Sequence, residues 1–172
     1  SYNAATVGHR TSGWRKNRGD ANAVLAVASL ELRTQARDLI RNNSWAKRGQ
    51  RIIANNTAGW GIVPKATGLD EKLNVEAMRR WKLWADTTQC ESEGRHTFYG
   101  LQQAVMKAIA SDGEVLLRRR WRLDGDGLEI PMQLQLLEID FLDTAKDGER
   151  GVAGGNIVQG VEYDLLGRRA AY

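Results

Sequence analysis

The chain has 172 residues, 25 of them basic and 21 acidic, for a formal net charge of +4. That length suits one domain burying about 70% of its unfolded surface, so no metal or disulfide is needed to hold a core. The single cysteine, Cys90, excludes an intrachain disulfide and fits a reducing compartment, and no apolar run reaches the length of a transmembrane helix.

Charge is unevenly spread. Residues 1–60 hold ten of the basic residues and only three acids, Asp20, Glu31 and Asp38. A basic N-terminal third on a near-neutral body fits contact with a polyanion or an acidic partner surface, or a well-solvated face.

Residues 1–20 are polar and basic, without apolar periodicity, and read as a flexible arm. Trp14 sits there among Arg15, Lys16 and Arg18, placed to dock on protein or to stack on a base. A helix is predicted over 22–42, with Leu32, Ala36, Leu39 and Ile40 as its buried stripe. Arg33, Arg37 and Arg41, four apart, form a cationic ridge on another face. Asn42 and Asn43 end that helix, and Ser44 is the expected cap of the next. In the second helix Trp45, Gly49, Ile52, Ile53 and Asn56 share one face, so they are expected to pack, with Gly49 admitting a close helix. Arg48 and Arg51 are its further cations. Gly59 stops the helix, and Gly61 to Pro64 is extended, with Pro64 marking an edge or an end.

A third helix is predicted over 74–86, capped by Asn74, with Ala77, Met78, Trp81, Trp84 and Ala85 in the core. Thr97 caps a fourth, 98–111, whose inner face is Phe98, Leu101, Val105, Ala108 and Ile109; Gly113 is its stop. The period then changes. Residues 114–122 alternate as a strand, with Val115, Leu117 and Trp121 on one side and Glu114, Arg118, Arg120 and Arg122 on the other. Arg119 shares the apolar side, so it lies near a rim or pairs with an acid. The charged side pairs with Glu114, Glu129 or Glu138, or else forms a phosphate-binding stripe. Asp124 to Gly127 is a hairpin loop, and 131–140 is the partner strand, with a bulge expected at Leu136-Leu137. A loop over 144–155, one strand over 157–164, a turn at 165–167 and a strand over 168–172 complete the reading. Helices followed by antiparallel strands give an α+β class, organised as an arm (1–20), a helical part (21–112) and a β part (113–172). The chain opens on Ser1 and stops inside a half hairpin, which reads as an N-terminal fragment.

Catalytic and metal motifs are not found. The two histidines, His9 and His96, form no ligand set with Cys90. Asp124, Asp126 and Glu129 lack the length of a calcium loop, and the glycines at 151–155 precede a strand rather than a helix. No cofactor, metal or enzyme activity is expected.

Four segments in order, ARDLIRNN…IIANNTAGWGIVP (36–64), HTFYGLQQAVMKAIASDGEVLLR (96–118), PMQLQLLEIDFLDT (131–144) and IVQGVEYDLLGRRAAY (157–172), resemble the portal proteins of lambda-type tailed phages. The matching positions are Arg37, Asn42, Asn43, Gly59 and Gly61 on the helix–break–helix–strand motif, Gly113 and Glu114 at the helix-to-strand turn, and Asp164 and Gly167 at the hairpin. The resemblance implies a structural subunit of a dodecameric ring at the head vertex. Such a ring acts in head assembly and DNA packaging, docks terminase, capsid and scaffold proteins, and conducts double-stranded DNA without reading its sequence. It implies the wing region of that subunit, a virion location and assembly in the bacterial host cytoplasm. Arg33, Arg37, Arg41, Arg48, Arg51 and Trp14 are then candidate contacts to a neighbour, the capsid or the DNA backbone. The alternative is a basic nucleic-acid-binding module whose Arg33/Arg37/Arg41 ridge contacts phosphates.

Overall fold

A computed structural model of the chain describes His9, residues 20–68 and residues 70–172; Trp14 and nearly all of the expected arm lie outside the described residues. The chain divides into two compact units, Ser1–Glu31 and Leu32–Tyr172. In the first, helix α1 (Ala21–Asn42) begins, its first turn capped by Asp20, whose Oδ1 accepts from the Ala23 N–H at 2.8 Å.

The second unit continues α1 and adds α2 (Ser44–Ala58), α3 (Glu71–Ala85) and α4 (Phe98–Asp112). Five strands follow: β1 (Leu116–Trp121), β2 (Met132–Leu137), β3 (Gly154–Val158), β4 (Val161–Asp164) and β5 (Arg169–Ala171). They form two small antiparallel sheets, β1-β2 and β3-β4-β5. Helices first and antiparallel strands after them make this an α+β fold, as the sequence indicates.

Two helix starts differ from expectation. Asn43, not Ser44, caps α2: its extended backbone lets the side chain accept from the Trp45 and Ala46 N–H groups, so Ser44 is already helical. Helix α3 starts at Glu71 rather than Asn74, capped by Asp70, which accepts from Lys72 and Leu73. Asp70 and Glu71 both suit the positive end of the helix. Asn74 instead holds the preceding loop, its amide exchanging two 2.9 Å hydrogen bonds with the Gly68 backbone. Helix α4 matches expectation to within a residue, with Thr97 accepting from Gly100 and Gly113 leaving in the left-handed conformation.

The core sits where α3, α4 and β2 meet. Trp84 is 5% exposed and lies with Ala85 and Cys90 against Trp81, Phe98, Tyr99, Ile130, Met132 and Leu134. Trp81 meets Phe98 edge-on at 5.0 Å, the arrangement that ring quadrupoles favour. Burying the Trp84 indole leaves one N–H to satisfy, and it donates to the Met132 carbonyl at 2.7 Å. Helix α2 packs on α4 through its small residues Ala54 and Ala58, and Gln50 donates to the Lys107 carbonyl.

The strands bring further corrections. The β1–β2 register runs without a break from Leu116↔Leu137 to Trp121↔Met132, so there is no bulge at Leu136-Leu137. The apolar parity changes there because the ladder ends and the chain enters a 3-10 turn that buries Ile139. The expected single strand 157–164 is a hairpin: Gln159 (φ 48°) and Gly160 (φ 81°) form a two-residue turn between β3 and β4. Two consecutive positive φ values match the twist of the flanking strands. Residues 61–64 join no strand ladder, so Pro64 marks no sheet edge. The Ile62 backbone is met instead by α4, where Gln102 bonds both its N–H and its carbonyl.

Candidate assembly surface

The arginine ridge is not a uniform outer face. Arg33 is buried and its guanidinium meets Glu114 at 2.9 Å. Arg37 bridges two carboxylates, Asp112 at 2.6 Å and Asp140 at 2.5 Å. Only a planar fork reaches both. This ties α1 to the end of α4 and to the turn after β2. The hydrogen bonds that Arg37 donates to Asp112 and then to Asp140 raise its pKa further. Burial alone would raise the Asp112 carboxyl; hydrogen bonds from Arg37 and Ser111 outweigh that and hold it below the usual carboxylate range. Arg41, the third of the ridge, has no ion pair among the described residues. A sequence cue for Asp112 exists: an acid in the last turn of a helix opposes the macrodipole and needs a cation.

The predicted stripe of α2 faces outward, and that of α1 is split, with Ala36 and Ile40 half-buried. Leu32 and Leu39 are exposed while Arg33 faces inward. On α2, Trp45 is 77% exposed, Ile52 47% and Ile53 50%. A Cβ added to Gly49 would meet nothing within 4 Å, so no helix of the described residues approaches it. Arg48 and, further round the helix, Arg51 border this face on its Ile52 side, while Lys47 lies on the far side with Ala54 and Ala58; none of the three has an ion pair among the described residues, and the helix contains no acid.

Strand β1 presents a second surface. The Arg122 N–H donates to the Pro131 carbonyl, which fixes the hydrogen-bonding parity of the β1–β2 ladder. Counting by two, Leu117, Arg119 and Trp121 turn their backbone groups to the opposite edge, where no strand of the described residues pairs. Arg119 has no ion pair among the described residues; its guanidinium lies 5.0 Å from the Trp121 ring centroid. Arg118 and Arg120 face Gln135 and Gln133 across the ladder, and Arg122 donates to Gln133 at 2.7 Å. The expected cross-sheet pairs with Glu114, Glu129 or Glu138 are not formed.

The turn positions are individually accounted for. Asn42 donates to Asp38, Asn43 is the cap of α2, and the Gly59 N–H donates to the Asn55 carbonyl with φ 53°. Gly61 has φ 103° and lies against the Tyr99 ring, where a Cβ would overlap it. Gly113 and Gly167 take φ 80° and 76° at the α4 exit and the β4–β5 turn. Sequence reasoning misses the roles of Asp112 and Gln102, and that Asp140, an acid near Asp143 that reads as solvated surface, would pair with Arg37; their partners lie 40 to 103 residues away.

Chemistry is sparse among the described residues. No three metal-ligating side chains cluster, and no helix is long and apolar enough to cross a membrane. The Cys90 thiol is pushed up to about 11, first by burial. What the geometry offers is surface: two bare faces, apolar and cationic, on a subunit braced by internal ion pairs. The sequence matches the family described as phage portal protein, lambda family, over residues 7–172. The chain belongs to that family. It is also 30% identical over 172 residues to a protein of Halomonas phage phiHAP-1 named "Probable portal protein". That alignment covers 92% of this chain and 31% of the relative, so the chain spans about a third of the portal relative's length.

Proposed function

We propose that this chain is the wing part of a structural portal subunit, which forms a ring at the phage head vertex. In that ring it serves head assembly and packaging while double-stranded DNA passes without being read. The observation that carries this reading is the exposed Trp45, Ile52 and Ile53 face of α2, bordered on one flank by Arg48 and Arg51 without ion pairs among the described residues. A lone subunit gains nothing from leaving such a face in water, whereas a ring covers it. Capsid, scaffold and terminase proteins are the further partners, with assembly in the bacterial host cytoplasm and a final place in the virion. Two arginines of the ridge, Arg33 and Arg37, are engaged inside the subunit, which favours this reading over a phosphate-gripping module.

Electron microscopy of the full-length protein tests it: rings with a central channel are expected. A monodisperse monomer at micromolar concentration would sink the ring reading. Duplex affinity falling steeply with salt, with a slope corresponding to about 6–10 phosphates, would favour the nucleic-acid module instead.

A further inference from the structure

We infer that the outward face of α2 docks on a second copy of this chain, against its acidic segment 138–150. The inference rests on the ring reading and names the two surfaces that meet. On one side are Trp45, Ile52 and Ile53, with the open Gly49 beside them and Arg48 and Arg51 along the Ile52 flank. On the other, residues 138–150 present Glu138, Asp143, Asp147 and Glu149, none in an ion pair among the described residues, against Lys146 and Arg150. Phe141 in the same segment is 72% exposed, so it too combines charge with an apolar anchor.

The segment is held in place before anything docks. Arg37 pins Asp140, and Ile139 is buried. Further along, the Gly148 N–H donates to the Ile157 carbonyl, the Ile157 N–H to Glu149, and the Gly160 N–H to Lys146. Asp147 accepts from the Gln159 N–H. A surface already fixed by its own backbone loses little freedom on binding.

Charge complementarity selects the occupant. Phosphates would neutralise the arginines of α2 but offer nothing apolar to cover Trp45, Ile52 and Ile53. An acidic segment carrying an exposed phenylalanine supplies both. Because the two surfaces differ, the contact is head-to-tail, the kind that closes into a ring rather than a two-fold dimer. Gly49, unused within the subunit, lets the partner backbone come close.

The test is a charge swap in the full-length protein, with ring formation followed by mass photometry across a concentration series. Arg48→Glu with Arg51→Glu, and separately Glu138→Lys with Glu149→Lys, are each expected to raise the assembly midpoint by about tenfold or more. All four changes in one chain should bring the midpoint most of the way back, because every interface then pairs with inverted sign. If a reversal alters the circular dichroism, the neutral glutamine versions are read the same way, each weakening assembly. Reversals without effect, or a combined chain no better than the single pairs, overturn the inference. So does loss of duplex DNA binding in the α2 reversal with ring formation unchanged. A wild-type protein that never forms rings fails before any variant is made and identifies the ring reading as the fault.

Discussion

The Gln102 side-chain amide takes the place of a neighbouring strand for Ile62, accepting from its N–H at 2.7 Å and donating to its carbonyl at 3.2 Å. Beside it Gln103 donates to the Gly59 carbonyl at 2.7 Å. Two consecutive glutamines on α4 thus fasten the chain where it leaves α2. Gln102→Ala is expected to cost about 1 kcal/mol and to speed hydrogen exchange at the Ile62 amide. Gln102→Glu keeps the acceptor and should slow that amide again. Exchange at Ile62 unchanged in the alanine variant would show that the contact is not formed in solution.

Arg37 carries a larger share. Arg37→Ala leaves Asp112 nearly buried without its cation, for an expected loss of about 2–3 kcal/mol, below the usual range for a buried pair because Arg37 is partly exposed. Arg37→Lys should recover part of this, since a point charge cannot span both carboxylates. Urea unfolding measures both.

The same pair sets a pH dependence. The folded Asp112 pKa is depressed, so the unfolded chain, with a carboxylate near about 3.9, binds the proton first as pH falls. The stability that this group contributes is present above that value and is lost as pH drops through the lower folded pKa. Melting temperature should therefore fall below about pH 4, less steeply in Asp112→Asn. Identical acid limbs in the two proteins would remove Asp112 from the account.

Gly61 and Gly113 separate two costs. Both have positive φ, but a Cβ at Gly113 meets open space while one at Gly61 runs into the Tyr99 ring. Gly113→Ala should cost about 1 kcal/mol from backbone strain alone. Gly61→Ala should cost about 3 kcal/mol or more, adding collision to a rarer conformation. Denaturation midpoints of the two variants give the comparison.

Cys90 should be silent to thiol reagents in the folded protein. Burial pushes its thiol to about 11, so at pH 8 about one molecule in a thousand is a thiolate. Full labelling should appear only with unfolding, and rapid labelling of the native protein would show that the α3–α4–β2 core opens.

Helix α4 and the β1–β2 hairpin were legible because each boundary has a local cause: the Thr97 hydroxyl, the Gly113 conformation, the Asp124–Gly127 turn. The Gln159-Gly160 turn was not, because glutamine gives no sign that it will take a positive φ. The candidate surface was misread more instructively. Periodicity showed that Trp45, Ile52 and Ile53 share a face but not what covers it, and the natural assumption was the subunit's own core. Small Ala54 and Ala58 fill that place instead. Likewise four-residue spacing placed Arg33 and Arg37 together without revealing that Glu114, Asp112 and Asp140 would draw them inward.

The bare edge of β1 bears on what a second chain would meet there. The backbone groups of Leu117, Arg119 and Trp121, open on that edge, would template sheet growth if two copies met edge to edge. Arg119 stands at the open edge between Arg118 and Arg120, so two like edges would bring like charges together. Charge on an edge strand works against pairing of like copies, and such an edge would best suit a partner that brings opposite charge.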